Sequence, residues 1–261
     1  MIVKSQPDKA GLRGKRFVVT GGSRGLGQEV VQLLLGEGAF VAACARRTDS
    51  LRGHAAETGQ LLTGSLDVRE AGRLEGFVEQ AGEAFGGLDG VVACVGGAQG
   101  RGLEEAAPED WSATWELNVG HSVRLAAAAA PHLRAAGGGS VVFIASVSGW
   151  KPGPQAQYGA AKAALIHLAA SLARELGPDG IRVNAVSPGS MLIPGKRWDR
   201  MRREDPAAFA AFAEEFPGGA LVAPREVAQV VAFLLSAHAT GVSGTNIPVD
   251  RAQNAPTPDG Y

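Results

Sequence analysis

Short apolar runs alternate with longer amphipathic stretches along almost the whole chain, and no other feature limits its possible folds so tightly. Lys15–Thr20, Ala39–Ala45, Leu88–Val95, Ser140–Ser146, Ile181–Ser187 and Thr245–Asp250 read as strands, with Gln60–Gly64 as a weak third strand. A helix is expected after the first strand, to about Leu35. Further helical patterns cover Glu70–Phe85, Pro108–Ala136 with a break near Asn118, Gln155–Leu176 and Pro224–Ser236. Strict alternation of this kind implies right-handed crossovers and a parallel sheet covered by helices on both faces, an α/β fold. The 261 residues suit a single domain over 1–261. One stretch breaks the rhythm. Residues 190–223 stand between the sixth strand and the next helix and hold Trp198, a basic cluster (Lys196, Arg197, Arg200, Arg202, Arg203) and Phe209, Phe212 and Phe216 at helical spacing. They read as a small helix pair packing its own apolar face, as a lid over a substrate pocket, or as both.

A composition 45% apolar and 20% charged provides for a full core, and a net charge of −1 gives no broad electrostatic case for nucleic acid or an anionic membrane. The most apolar run, Leu125–Leu133, is mostly alanine, is broken by Pro131 and is too short to span a bilayer. Met1–Gly14 has no apolar signal-peptide core, so a cytoplasmic location is expected. The two cysteines, Cys44 and Cys94, lie in strand-like runs and read as buried, reduced thiols. With a strand between them at spacings of about 4.8 Å, they are too distant to bridge.

Thr20-Gly21-Gly22-Ser23-Arg24-Gly25-Leu26-Gly27 joins the first strand to the first helix. Glycines there let the backbone turn sharply and approach a ligand, and the helix N-terminus offers free N–H groups to a pyrophosphate. A merely tight turn is the plainer alternative, but the position in the first βα unit is the one a dinucleotide site requires. The second strand ends in Ala45-Arg46-Arg47, where an NAD enzyme usually carries an acidic side chain for the ribose 2′-hydroxyl. Two guanidiniums, with Arg24 from the loop, suit a 2′-phosphate instead, and NADP(H) is the expected cofactor. A solvated basic strand end is the competing account.

Tyr158 and Lys162 are four residues apart near the start of a helical stretch, so they share a face. A lysine ammonium near a phenol is expected to lower the tyrosine pKa and allow proton exchange near neutral pH. Ser146 ends the fifth strand, where its hydroxyl can bond a reacting oxygen or cap a loop. Asn118, at the expected helix break, can cap a helix or hold a backbone group or water. All four follow C-terminal ends of parallel strands or lie on the helices after them, where ligands bind in such sheets.

On these marks, together with Asp67 after the third strand, Asn184, and Pro188-Gly189 after the sixth, the chain resembles the short-chain dehydrogenase/reductases from about Gly14 to Asp250. The resemblance implies a Rossmann fold with strand order 3-2-1-4-5-6-7. It implies Tyr158 as proton donor, Lys162 lowering its pKa and binding nicotinamide ribose, Ser146 orienting the carbonyl, and Asn118 holding a relay water. It puts Asp67 and Val68 at the adenine. Gly96, Pro188, Gly189 and Met191 join the glycine loop among the cofactor contacts, and no metal ligands are assigned. Dimers or tetramers would form through the long helices after the fourth and fifth strands.

Departures from the family pattern carry expectations of their own. Asn-Asn-Ala-Gly reads Ala93-Cys94-Val95-Gly96, so two steadying side-chain amides are missing. A frequent threonine is Ile193, and Val-Asp-Gly-Gly reads Val249-Asp250-Arg251-Ala252. The leading expectation is reduction of a small-molecule carbonyl. Alcohol oxidation with NAD(P)+ and a catalytically silent nucleotide-binding protein are the alternatives. A nucleotide-sugar epimerase or dehydratase would need a longer C-terminal part.

Overall fold

The computed structural model describes residues 10–51 and 59–254. Most of the polar stretch Met1–Gly14, expected to hold no signal-peptide core, and the residues beyond 254 lie outside the described residues. Seven strands, β1 Arg16–Thr20, β2 Phe40–Ala45, β3 Leu61–Ser65, β4 Gly90–Ala93, β5 Gly139–Ile144, β6 Ile181–Pro188 and β7 Asn246–Val249, pair in parallel in the order β3-β2-β1-β4-β5-β6-β7. This is the expected Rossmann arrangement. β4 and β5 end before Cys94 and Ala145, short of the apolar runs that suggested them, because the chain turns there into the loops at the sheet's C-terminal edge.

Nine helices complete the described chain: α1 Gly25–Gly36, α2 Arg73–Phe85, α3 Gly102–Glu105, α4 Pro108–Trp115, α5 His121–Ala135, α6 Ala156–Leu176, α7 Arg197–Glu204, α8 Pro206–Ala213 and α9 Pro224–Leu235. The central strands are covered on both sides, so they are apolar at nearly every position rather than at alternate ones. On one face Val18, Val91, Val141 and Phe143 meet Leu74 and Val78 of α2, Leu125 and Leu133 of α5, and Leu165 of α6. On the other, Phe17, Val19, Val92 and Val142 meet Val30 and Leu34 of α1 and Val227, Val231 and Leu234 of α9. Each fully buried Val, Leu or Phe contributes roughly 1.5–3 kcal/mol.

Two helix expectations need correction. α2 begins at Arg73, not Glu70, because Gly72 immediately before it takes a left-handed φ of 75°. The break near Asn118 is no break: α4 runs into α5 through one π-helical turn, Glu116–Gly120, which inserts a residue without interrupting the helix. The expected continuation through Pro131 to about Ala136 is borne out. α5 continues through it to Ala135, since burial of Leu125, Ala129 and Leu133 along one side outweighs the roughly 3 kcal/mol that an interior proline costs.

Residues 190–223 form the expected helix pair, α7 and α8. The pair packs its own apolar face: the Trp198 and Phe212 rings stack 3.7 Å apart, and Phe216 meets Phe212 edge-on. The excursion is closed at its base, where Val222 N–H donates to the Ser190 carbonyl (3.1 Å) and Leu192 N–H to the Val222 carbonyl (3.2 Å). After β7, Arg251 and Ala252 hold left-handed φ values of 51° and 62°, where the family pattern has glycines. Side chains fix this turn. Arg251 forks onto the Glu226 carboxylate (2.6 and 3.0 Å), and Asp250 accepts from the Ala252 N–H (3.1 Å).

Two Cβ substitutions should move stability in opposite directions. A Cβ at Gly27 would overlap the Gly21 carbonyl, so Gly27→Ala should destabilise by about 2 kcal/mol or more and disorder the first turn. Ala252→Gly removes left-handed strain and should stabilise by about 0.5–1 kcal/mol. Urea unfolding of each variant checks both.

Candidate active site

Strand order reverses at β1: the chain builds outward through β2 and β3 on one side and through β4 to β7 on the other. Loops after β1 and β4 therefore diverge, and a crevice opens between them at the C-terminal edge. A cleft of about 720 Å³ lies there. Its floor is the glycine loop. Gly21 and Gly22 N–H groups donate to the Cys44 carbonyl (2.8 and 3.2 Å), and the Ser50 hydroxyl donates to the Ser23 carbonyl (2.6 Å). Gly21 and Gly25 take left-handed φ values of 72° and 55°, and a Cβ on Gly22 would fall 2.9 Å from Ala43. Gly21, Ser23, Gly25, Leu26 and Gly27 all line the cleft, and the first turn of α1 holds no acidic residue to compete for an anion.

One end of the cleft is basic. Arg24, Arg46 and Arg47 line it, all exposed, with Asp67 and Val68 across from them. Asp67 is clamped by a residue not singled out from sequence: Arg69 donates to both carboxylate oxygens (3.1 and 2.7 Å) and through its backbone N–H (3.0 Å). The Arg69 hydrogen bond holds the Asp67 carboxyl down at about 2. Val68 is fixed from behind, because the Arg124 guanidinium donates to its carbonyl while pairing with Glu116 and Glu75.

The other end holds the phenol, the ammonium and the hydroxyl expected from sequence. Lys162 is buried; its Nζ lies 5.5 Å from the centre of the Tyr158 ring and donates to the Ile144 carbonyl (2.7 Å). Ser146 caps the loop, its hydroxyl accepting from the Ser148 N–H (3.1 Å), and it also bonds Tyr158. The expected lowering of the Tyr158 pKa is not what the protein alone provides. Burial pushes the phenol above its ordinary value and the Ser146 bond only partly offsets this. Burial also pulls the Lys162 ammonium down to about 8. Gly96 forms the opposing wall, where a Cβ would fall 2.8 Å from Asn118 Oδ1 and 2.9 Å from Lys162 Nζ. Pro188, Gly189 and Met191 close this end from β6.

Asn118 is the one expected residue that does not line the cleft. It lies buried behind Gly96, donating to the Gly97 and Thr114 carbonyls (both 2.7 Å) and accepting from the Gly97 N–H (3.3 Å). Its amide thus holds the π turn and the cleft wall together. The missing Asn-Asn amides are partly made good by Thr20, whose hydroxyl accepts the Cys94 N–H (3.0 Å) and bonds buried His121 (3.4 Å). Burial drives His121 down to about 3, so it is neutral there. Both cysteines are free, and burial raises each to about 12. Cys94 is only half-buried and lines the cleft, unlike the fully buried thiol expected. Lys196, read above only as part of a basic cluster, also lines the cleft, as do Gln99 and Ile193. A cleft floored by glycines, with arginines at one end and Tyr158, Ser146 and Lys162 at the other, has room and chemistry for an extended dinucleotide with a small reactant beside it. Among the described residues no helix is long and apolar enough to cross a membrane.

A family model described as enoyl-(acyl carrier protein) reductase matches residues 21–251. An isoepoxydon dehydrogenase of Penicillium expansum is 34% identical, covering 92% of this chain and 95% of that protein. The human (3R)-3-hydroxyacyl-CoA dehydrogenase is 35% identical, covering 91% and 95%. Among solved structures, an L-sorbose reductase from Gluconobacter frateurii in complex with NADPH and L-sorbose superposes with a TM-score of 0.88. It is 32% identical, over 95% of this chain and 99% of that one.

Lys162 gives the site a pH signature. With its pKa at about 8 folded against an ordinary 10.5, the folded state binds fewer protons than the unfolded one between those values. Its contribution to stability therefore rises with pH through that window and is lost as pH falls through 8. Urea unfolding at pH 7.5 and 9.5 should show wild type gaining stability relative to Lys162→Met, by up to about 1.4 kcal/mol per pH unit. Parallel behaviour of the two proteins would contradict the assignment.

Proposed function

The chain belongs to the short-chain dehydrogenase/reductases, a family of oxidoreductases, and on that premise we propose that it is an NADP(H)-dependent carbonyl reductase. The observation that carries this reading is the single cleft in which arginines gather at one end and Tyr158, Ser146 and Lys162 at the other. The dinucleotide, when bound, supplies the hydride that the carbonyl carbon accepts.

The chain's own residues do the rest. Arg24, Arg46 and Arg47 take the 2′-phosphate, each able to fork onto its oxygens. Asp67, Val68 and the Arg69 clamp form the adenine end, and Gly21 to Gly27 cradle the pyrophosphate. Gly96, Pro188, Gly189 and Met191 bound the nicotinamide end. Ser146 holds the carbonyl oxygen, and the Tyr158 hydroxyl gives that oxygen its proton as charge develops on it. The raised Tyr158 pKa favours this direction over alcohol oxidation, because the phenol stays protonated at neutral pH, the form in which it can donate. Lys162 keeps a positive charge beside the phenol and stabilises the phenolate left behind. Asn118 acts as a positioning residue for Gly96 and Gly97. Residues 190–223 cover the substrate as a lid on one domain. The reactant is a small ketone, and the sorbose reductase's complex with a keto sugar supports that class by likeness. Assembly into dimers or tetramers would use α5 and α6, near which Trp115 and Val123 stand exposed.

Two variants test the proposal. Tyr158→Phe should lower kcat for ketone-dependent NADPH oxidation at least about a hundredfold while leaving the NADPH dissociation constant unchanged. Arg46→Ala should weaken NADPH about tenfold and NADH hardly at all. Substantial turnover in the first, or equal loss for both dinucleotides in the second, would overturn the corresponding assignment.

A further inference from the structure

Six cations line the cleft: Lys162 beside Tyr158, and away from it Arg24, Arg46, Arg47, Arg69 and Lys196. Its two carboxylates both stand at the basic end, and each already faces an arginine: Asp67 on Arg69 and Asp49 on Arg47, 3.8 Å away. Lys196 differs from the four arginines in coming from residues 190–223. Like Arg24 and Arg46, and unlike Arg47 and Arg69, it makes no ion pair among the described residues.

Its position is built rather than incidental. Lys196 N–H donates to the Ile193 carbonyl (3.1 Å), and the adjacent Gly195 N–H donates to Asp199 Oδ2 (2.8 Å), so the turn before α7 is fixed on both sides. Asp199 is itself buried and also engages Arg202 (2.8 Å) and Arg203 (3.5 Å), which removes those two arginines from competition. Arg197 lies over the Trp198 ring. The same turn presses on the glycine loop: two methyl groups of Ile193 lie 3.5 Å from where a Gly25 Cβ would be. Ile193 offers no hydroxyl to an anion held by that loop, whereas a lysine one short turn later can reach over it.

We infer that Lys196 is a pyrophosphate ligand carried on the lid, so that dinucleotide binding and seating of residues 190–223 over the glycine loop reinforce each other. The inference rests on the reading of the cleft as a dinucleotide site. A diphosphate bridge has two negative charges; the loop meets it from below with N–H groups, and Lys196 meets it from the opposite side. The charge it reads is common to NADPH and NADH, unlike the 2′-phosphate assigned to Arg46.

Isothermal titration separates these roles with three probes: NADPH, NADH, and adenosine 2′-monophosphate, which has no pyrophosphate. Lys196→Gln should weaken both dinucleotides by the same factor, about tenfold, and leave the monophosphate unchanged. Lys196→Arg should retain most of the affinity. Unchanged dinucleotide binding in Lys196→Gln, or an equal loss for the monophosphate, would overturn the inference while leaving the cofactor reading intact. Wild-type protein that binds neither dinucleotide would overturn both.

Discussion

Everything in this molecule follows from the place where a parallel sheet changes direction. β1 sits between β2 and β4, so Thr20 at its end has Cys44 on one side and Ala93 on the other. Loops leaving those three strands must part, and the space between them is the cleft. Thr20 then does a second job at the same point, holding the Cys94 amide so that the wall from Cys94 to Gly97 keeps its course. A sheet with the same strands in simple sequential order would bury its residues as well and have no such opening.

The electrostatics divide the opening into two regimes. At the arginine end, charges are exposed and partly paired, so their charge is available without a large desolvation cost. At the tyrosine end, the groups are buried, and burial rather than mutual attraction sets their protonation: the phenol is raised and the ammonium lowered. Lys162 tolerates burial because it donates a hydrogen bond to the Ile144 carbonyl at 2.7 Å, which holds its ammonium next to Tyr158.

The alternating strands and helices, the glycine loop and the Tyr158–Lys162 pair were legible in the sequence because they rest on local signals: doubly covered strands are apolar throughout, glycines mark the loop, and Tyr158 and Lys162 share a helix face. The strand order and the adenine-end residues came only through the family resemblance. What escaped depends on three-dimensional competition. The π turn at Asn118 left no mark beyond a polar residue in a helical run. The direction of the Tyr158 shift required knowing how deeply the phenol is enclosed, which spacing does not encode. Arg69 stands two residues beyond Asp67, close enough that an acid–base pair could have been suspected. Lys196 was visible only as one basic residue among five until its turn was found against Gly25.

The pinch at Ser190, Leu192 and Val222 has an evolutionary reading. Because the chain leaves and re-enters the body through adjacent backbone hydrogen bonds, the exposed part between them can change in length at little entropic cost, while Phe216 and Leu221 keep it anchored in the core. A lineage of such proteins can therefore acquire new preferences by rewriting this one patch of sequence, while the machinery beneath it stays unaltered.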